Sequence, residues 1–346
     1  MNSESISNKV DLSSQKNNRI APHPIHALEK IRLGGSEQWI RIQGKDTSNP
    51  VLLLIQQGPG LPMLNEARDA EKQLNLEEEF VVVYWDQRGC GKSFRSGFPP
   101  QSLTLEQMIA DTHELIQALT QRFSMSRLFV AGFSQGGTIA ALTASRYPEN
   151  IQAVICVAPE VLFAESERIA YEFALKQAAQ RGNRRAMQEL REIGLPPHLD
   201  SKTFGIRLKW LTNFGGVYRH KTYRMLLLQT LRQILLSRDY SFTDILGTLR
   251  GIGFVQDHLL PNLVGLDLFH GLPWLEVPIF FFQGRQDRAA PVALVERYYQ
   301  GLQAPKGKQL IWFDKSAHEP HYEEPAKFRE AMFRIKQSPD KGGEVL

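Results

Sequence analysis

Short, continuously apolar runs recur along the chain and alternate with amphipathic stretches. Residues 51–55 and 80–85 are apolar at every position, which is typical of strands covered on both faces. The same pattern recurs in four later runs, at residues 128–131, 153–157, 278–282 and 309–313. An earlier segment alternates instead, with residues 31–33 and 39–42 joined through Gly34 and Gly35. It predicts an antiparallel hairpin at the edge of a sheet.

Helical patterns separate most of these runs. Apolar residues follow helical spacing between residues 105 and 119, and Thr104 stands at the position of an N-cap. Further helices are predicted at residues 138–147, 292–302 and 325–335. Strands that alternate with helices favour a mostly parallel sheet with right-handed crossovers and helices on both faces. The predicted fold class is therefore α/β.

The alternation stops between residues 159 and 273. This segment carries helical patterns at residues 166–181, 184–193 and 222–237, separated by loops rich in glycine and proline. It predicts a helical cap inserted into a core formed by residues 26–158 and 274–346. The Gly215-Gly216 and Gly251-Ile252-Gly253 stretches are candidate hinges of this cap. The polar residues 1–25 predict a disordered leader.

Charge and cysteine content narrow the possible partners. The formal net charge is +4, and the basic residues are spread along the chain, so neither nucleic acid nor a membrane is an expected partner. Cys90 and Cys156 lack metal-type spacing and are predicted to be buried free thiols. The sequence shows no signal peptide and no apolar run of membrane-spanning length. These features favour a cytoplasmic location.

The candidate chemistry begins at Ser134. It lies between the predicted strand at residues 128–131 and the following helix, with Gly132 and Gly136 on either side. This G-x-S-x-G pattern is typical of a sharp strand-to-helix turn that exposes a nucleophilic serine. Glycine is needed at both flanking positions because the turn brings their backbones close together. A glycine-rich turn without chemistry is the alternative, so the context of the motif decides.

A serine nucleophile requires a base and a carboxylate that orients the base. Asp287 follows the strand at residues 278–282, and His318 follows the strand at residues 309–313. Ser134, Asp287 and His318 thus come in the chain order expected of this architecture. Asp314 is a rival carboxylate and His321 a rival base. Either favoured residue could instead be a strand end or a surface side chain.

Acyl chemistry also needs donors for an oxyanion. The backbone N–H of Gln135 directly follows the nucleophile, and the N–H of Gly58 lies in the loop after the first core strand. Gly58-Pro59-Gly60 is also a common turn sequence. This chemistry requires neither a metal nor a cofactor.

Several stretches together resemble the α/β-hydrolase superfamily, and within it the prolyl iminopeptidase-like serine hydrolases. They are residues 56–60 (QQGPG), 84–93 (YWDQRGCGKS), 132–137 (GFSQGG), 284–287 (GRQD) and 316–318 (SAH). The resemblance implies a mostly parallel sheet, helices on both faces and an inserted helical cap. Members usually carry His-Gly-Gly-Pro-Gly in the first stretch, whereas here Gln56 and Gln57 replace the histidine and the first glycine. Gln56 could supply a hydrogen bond in place of that histidine, and Gln57 adds a side chain beside the pocket.

The resemblance implies an aminopeptidase that releases N-terminal proline or another small residue. It also implies that acids of the cap bind the free α-amine of a small-molecule or short-peptide substrate. Glu165 and Glu167 are the candidates for this role, ahead of Glu160 and Glu172. A solvated helix face whose acids pair with nearby basic residues is the alternative for each of them. An esterase, amidase or thioesterase of a small metabolite, or a ligand-binding protein without catalysis, remain alternative functions.

Overall fold

The computed structural model describes residues 23–337. Within them lies an eight-stranded sheet, with strands β1 (Ile25–Leu33), β2 (Ser36–Gly44), β3 (Val51–Ile55), β4 (Val81–Asp86), β5 (Leu128–Phe133), β6 (Ile151–Val157), β7 (Ile279–Gly284) and β8 (Lys308–Phe313). The spatial order is β1-β2-β4-β3-β5-β6-β7-β8. From β4 to β8 every neighbouring pair is parallel. The predicted α/β fold with a mostly parallel sheet is confirmed.

The first two strands form the predicted hairpin, which is longer than the sequence pattern suggested. Pairing runs from Ile25 opposite Gly44 to Leu33 opposite Ser36. Gly34 and Gly35 both have positive φ, at 50° and 75°, as a two-residue hairpin turn requires. Ile25 thus belongs to a strand, although the leader was predicted to extend through it. Residues 1–22 of that leader lie outside the described residues.

The helices in the same part of the chain are α1 (Ala67–Leu74), α2 (Leu105–Arg122), α3 (Gln135–Arg146), α4 (Phe163–Gln180), α5 (Arg184–Glu192), α6 (Ser201–Asn213), α7 (Tyr223–Leu236), α8 (Phe242–Leu259), α9 (Leu268–Gly271), α10 (Val292–Gly301), α11 (Pro320–Glu323) and α12 (Pro325–Gln337). The side chain of Thr104 accepts a hydrogen bond from the backbone N–H of Gln107 and caps α2. Among residues 23–337 no helix is long and apolar enough to cross a lipid bilayer.

Alternate residues of the central strands point into two separate apolar cores. Leu53 and Val83 belong to the core that contains Ile116 of α2 and Ile139 of α3. Their neighbours in the strands, such as Leu52, belong to the other core, which includes residues of α1 and α12. This alternation explains why the strands are apolar at every position and confirms that helices cover both faces.

Helices α4 to α9 lie between β6 and β7 in the chain, in the region where the sequence predicted the cap. Residues 159–278, all of which are described, contribute no strand to the sheet. The candidate hinge Gly251-Ile252-Gly253 lies inside the continuous helix α8. A Cβ on Gly251 would lie 3.0 Å from the ring of Phe94 and 3.1 Å from the carbonyl oxygen of Gly89. This glycine therefore permits close packing of α8 on the core.

Candidate active site

Ser134 occupies the turn between β5 and α3. Its φ and ψ are 51° and −120°, in a strained region that non-glycine residues rarely adopt. Its backbone N–H donates a 2.8 Å hydrogen bond to the carbonyl of Val157, which ties the turn to the end of β6. Helix α3 begins at Gln135, directly after the serine and three residues earlier than predicted. The N-terminal amides of α3 therefore lie next to the serine.

The two glycines of the motif are required by close backbone contacts. A Cβ on Gly132 would lie 2.1 Å from the carbonyl oxygen of Gly136. A Cβ on Gly136 would lie 2.3 Å from the carbonyl oxygen of Gln56. Both distances are below any van der Waals contact, so the turn can form in this shape only with glycine at these positions.

Asp287 and His318 lie at the ends of β7 and β8 and contact each other. Nδ1 of His318 is 2.9 Å from Oδ2 of Asp287. The backbone N–H groups of Ala289 and Ala290 donate to Oδ1 at 2.8 and 3.0 Å, and Nε2 of Gln283 donates to Oδ2 at 3.0 Å. Asp287 is fully buried. These contacts fix the carboxylate in a position from which it orients the imidazole.

The electrostatic surroundings of His318 stabilise its protonated form. Burial, the largest single influence, lowers the pKa of His318, and the charge of Asp287 and the hydrogen bond to it act in the opposite direction. With smaller contributions from Glu319 and Glu160, they raise the pKa of His318 to about 9. An imidazole held in this way accepts a proton readily and keeps it beside Asp287.

The rival residues lie elsewhere. Asp314 is exposed and pairs with Arg285, with 2.6 Å between Nε and Oδ1. His321 is buried against the ring of Phe133, and burial lowers its pKa to about 3. Ser134 and His318 line one cavity, and His321 does not border it. The geometry thus favours Asp287 and His318 over both rivals.

This cavity lies between the sheet core and the cap helices and has a volume of about 280 Å³. Gln57, Gly58 and Gln135 line it beside Ser134, so the two residues with candidate oxyanion donors border the same cavity as the candidate nucleophile. A Cβ on Gly58 would lie 2.2 Å from Oε1 of Gln135. Nε2 of Gln135 is buried and has no hydrogen-bond partner among the described residues.

Gln56, the residue expected to stand in for a histidine, does not line the cavity. Its Nε2 is 3.0 Å from Sγ of Cys90, and its Oε1 accepts a 3.3 Å hydrogen bond from the backbone N–H of Gln87. Both partners belong to the loop after β4. The side chain therefore links the loop of Gly58 to this second loop. Cys90 and Cys156 are both buried and free, as predicted.

The two cap acids predicted to bind substrate have different positions. Glu165 does not line the cavity, and Oε1 accepts a 2.6 Å hydrogen bond from Arg168. Glu167 does line the cavity, but it is buried in an ion pair with Arg207. The structure thus brings Glu167 to the site and leaves Glu165 on the solvated face of α4, because the two residues lie on different sides of the helix. Glu172 also pairs with Arg168.

Three other acids line the cavity, namely Glu66, Glu160 and Glu319. Burial raises the pKa of each of them to about 7. Glu66 accepts a 2.7 Å hydrogen bond from the hydroxyl of Tyr322. One oxygen of Glu160 accepts from Ser166 at 2.7 Å. Oε2 of Glu319 has no hydrogen-bond partner among the described residues and lies 3.4 Å from Nε2 of His321. Sequence reasoning missed Glu66 and Glu319; the sole available signal was the position of Glu319 directly after His318.

Backbone hydrogen bonds tie the loops that carry Asp287 and His318 to the segment between β6 and β7. The N–H of His318 donates to the carbonyl of Val217 at 2.9 Å, and the N–H of Arg288 donates to the carbonyl of Gly216 at 2.9 Å. Gly215, with φ of 87°, precedes both acceptors. The segment proposed as a hinge from its glycines is thus bonded to the two loops that carry Asp287 and His318.

Known proteins with similar sequences are hydrolases. Residues 70–203 match the family model described as serine aminopeptidase, S33. The chain is 32% identical over 317 residues to a "Probable aminopeptidase YbaC" of Bacillus subtilis, covering 90% of this chain and 96% of that protein. It is 26% identical over 263 residues to a proline iminopeptidase of Heyndrickxia coagulans, covering 73% of this chain and 80% of the relative.

Solved structures resemble the whole fold. A proline iminopeptidase-related protein from Thermus thermophilus superimposes with a TM-score of 0.61 at 21% identity, over 90% of this chain and 96% of that chain. The proline iminopeptidase of Mycobacterium smegmatis also gives 0.61, at 16% identity, over 92% of this chain and 100% of that chain. These likenesses confirm the α/β-hydrolase fold. The extent and identity of the Bacillus subtilis match, with the family model, establish that the chain belongs to the serine aminopeptidase family of α/β-hydrolases.

Proposed function

We propose that this protein is a serine aminopeptidase, which removes N-terminal proline or another small residue from short peptides through an acyl-enzyme. The family membership and the names of the relatives support a hydrolase of this kind. The cavity volume of about 280 Å³ lies near the lower end of the usual range for ligand pockets. It suits a small residue with a free amine.

In the proposed mechanism, Oγ of Ser134 attacks the carbonyl carbon of the first residue, and Nε2 of His318 accepts the hydroxyl proton. The backbone N–H groups of Gln135 and Gly58 donate to the oxyanion. His318 then gives the proton to the leaving amine as the peptide bond breaks. Water, activated by the same histidine, attacks the ester and restores Ser134. Asp287 holds His318 in the required tautomer throughout.

The observation that carries the aminopeptidase assignment is the excess of carboxylates in the cavity. Four acids line it, and the one arginine among the lining residues, Arg207, is already paired with Glu167. Glu66, Glu160 and Glu319 have no lysine or arginine partner in the lining. A protonated amine bound among these acids would add a positive charge to those of His318 and Lys221, which already act on Glu319.

The position of these acids fits an exopeptidase. The α-amine of a substrate lies two bonds from the carbonyl carbon that the serine attacks, so its binding site must adjoin the catalytic residues. Glu319 directly follows His318, and Glu160 lies close enough to His318 to raise its pKa. We therefore assign the amine site to Glu160 and Glu319.

The test compares proline and alanine p-nitroanilides, with free and acetylated amines, against 4-nitrophenyl acetate. Ser134→Ala should lower every activity by about 10⁴-fold or more. Glu160→Gln and Glu319→Gln should raise KM for the free-amine anilides by about 10- to 100-fold, as expected for a lost charged hydrogen bond. Neither should raise KM for the ester. Glu165→Gln, outside the cavity, is the matched control and should behave as wild type.

Other outcomes would identify the alternatives. Serine-dependent ester hydrolysis with no preference for a free amine would favour an esterase or amidase of a small metabolite, which the apolar lining residues Phe163, Leu208 and Leu263 would accommodate. Ligand binding unaffected by Ser134→Ala, with no hydrolysis of any substrate, would favour a binding protein.

A further inference from the structure

Helix α7 of the cap turns several polar side chains and Ile234 towards the protein and exposes many of its other apolar side chains to solvent. Gln229, Thr230 and Gln233 line the active-site cavity. Five apolar side chains on the helix are between 39% and 58% exposed, namely Met225, Leu228, Leu231, Leu235 and Leu236. We call this set of side chains the α7 face. A surface helix normally exposes polar side chains instead. A contiguous exposed patch of this kind marks an interaction site.

The charges beside the α7 face are positive. Arg224, Arg232 and Arg238 are exposed. The two acids nearby in the chain, Asp239 and Asp244, are already paired with Arg41 and Lys92 of the core. The uncompensated charge of the segment is therefore cationic.

A surface cleft adjoins one end of the α7 face. Its volume is about 430 Å³, and Leu236 contributes to its lining. Arg232 and Arg238 line it together with Arg68 and Lys72 of the core, and the acids Asp69 and Glu71 also border it. Basic side chains therefore outnumber acids near one end of the α7 face, where they can contact an anionic group.

Two occupants could cover such a face, a second copy of the chain or a lipid surface. In a two-fold symmetric dimer the patch would meet itself, and its arginines would approach the same arginines of the other copy. Like charges at an interface oppose association. An anionic bilayer instead offers acyl chains to the leucines and phosphates to the arginines.

We infer that the α7 face docks this protein on an anionic lipid surface. The even spread of charge along the sequence predicted no membrane partner. The exposed apolar face of α7 can be recognised only in the structure, which shows which side of the helix packs on the protein. Leu227 lines the active-site cavity and is 51% exposed. Docking therefore places one side of the cavity next to the bilayer.

The test measures co-sedimentation of the full 346-residue chain with vesicles of phosphatidylcholine alone and of phosphatidylcholine with about one third phosphatidylglycerol. We expect at least tenfold tighter binding to the anionic vesicles, weakening as salt is raised. Leu228→Glu with Leu231→Glu should reduce this binding at least tenfold. Leu195→Glu is the matched control, because Leu195 is an 84% exposed leucine elsewhere in the cap, and it should bind within twofold of wild type.

A second variant, Arg232→Gln with Arg238→Gln, keeps the apolar face and should abolish the preference for anionic vesicles. None of the four substituted positions in these two double variants lines the active-site cavity, so hydrolysis of 4-nitrophenyl acetate should be unchanged and reports correct folding. Equal binding to both vesicle types, or equal loss in the control, would overturn the inference. So would a wild-type dimer by light scattering that the double leucine variant converts to monomer, since a second copy would then cover the face.

Discussion

Replacing Asp287 by asparagine changes one atom of the side chain and tests how the base is held. The carboxylate accepts from four donors, namely the N–H groups of Ala289 and Ala290, Nε2 of Gln283 and Nδ1 of His318. An asparagine oxygen can keep the two backbone bonds at the position of Oδ1. Its amide nitrogen must then face Gln283 and His318, where donors already point.

The consequence for His318 is a change of tautomer. With an amide N–H opposite it, Nδ1 becomes the acceptor, and the proton moves to Nε2. Nε2 then cannot accept the proton of Ser134. The same change in a serine protease lowers kcat about 10⁴-fold, which corresponds to about 5.5 kcal/mol of transition-state stabilisation. We expect a loss of this size here, since the pair is buried and the Nδ1 to Oδ2 distance is 2.9 Å.

The assay is kcat for 4-nitrophenyl acetate, with unfolding in urea as a check that the variant is folded. Asp314→Asn is the matched control, because Asp314 follows the neighbouring strand but pairs at the surface with Arg285. It should retain activity within about twofold. A variant at Asp287 with more than about a tenth of wild-type kcat, or an equal loss in the Asp314 variant, would refute the assigned role.

Two further predictions concern pH and stability. His318 must be neutral to act as the proposed base, and its pKa is raised to about 9, so kcat/KM for the ester should rise with pH and level off above about pH 9. Glu319→Gln removes a negative charge that raises the pKa of His318, and the pH profile of this variant should therefore shift to lower pH. An unchanged profile would contradict the electrostatic argument. Arg88→Met leaves Asp111 buried without its ionic partner and should lower the free energy of unfolding in urea by about 3–5 kcal/mol. Arg95→Met breaks an exposed pair and should change it by less than about 1 kcal/mol.

The central sheet could be predicted because its strands are buried on both faces and therefore read as continuous apolar runs. Helix α8 could not, since Gly247, Gly251 and Gly253 resemble a flexible loop in sequence. The effect of these glycines on packing is seen only in the structure, where the absence of a side chain at Gly251 lets α8 lie close to Phe94. Helical propensity is a weak guide when tertiary contacts select small residues.

The proposed catalytic residues could be predicted from their positions at strand ends and their order. The acids of the cavity could not, because which side of α4 faces the cavity depends on how the cap docks. Glu165 and Glu167 are equivalent in the sequence, yet one lies in solvent and the other in a buried pair. Glu66 reaches the cavity from the N-terminal end of α1, which no sequence pattern marks.

The hydrogen bonds from His318 and Arg288 to the carbonyls of Val217 and Gly216 bear on how specificity could be exchanged between relatives. A chimera that receives a foreign cap would lose two backbone acceptors for the loops that carry His318 and Asp287. Grafts that retain residues 214–218 of this chain should therefore keep turnover of simple esters. Grafts that replace this segment as well should need compensating changes in the core, even when the new cap folds correctly.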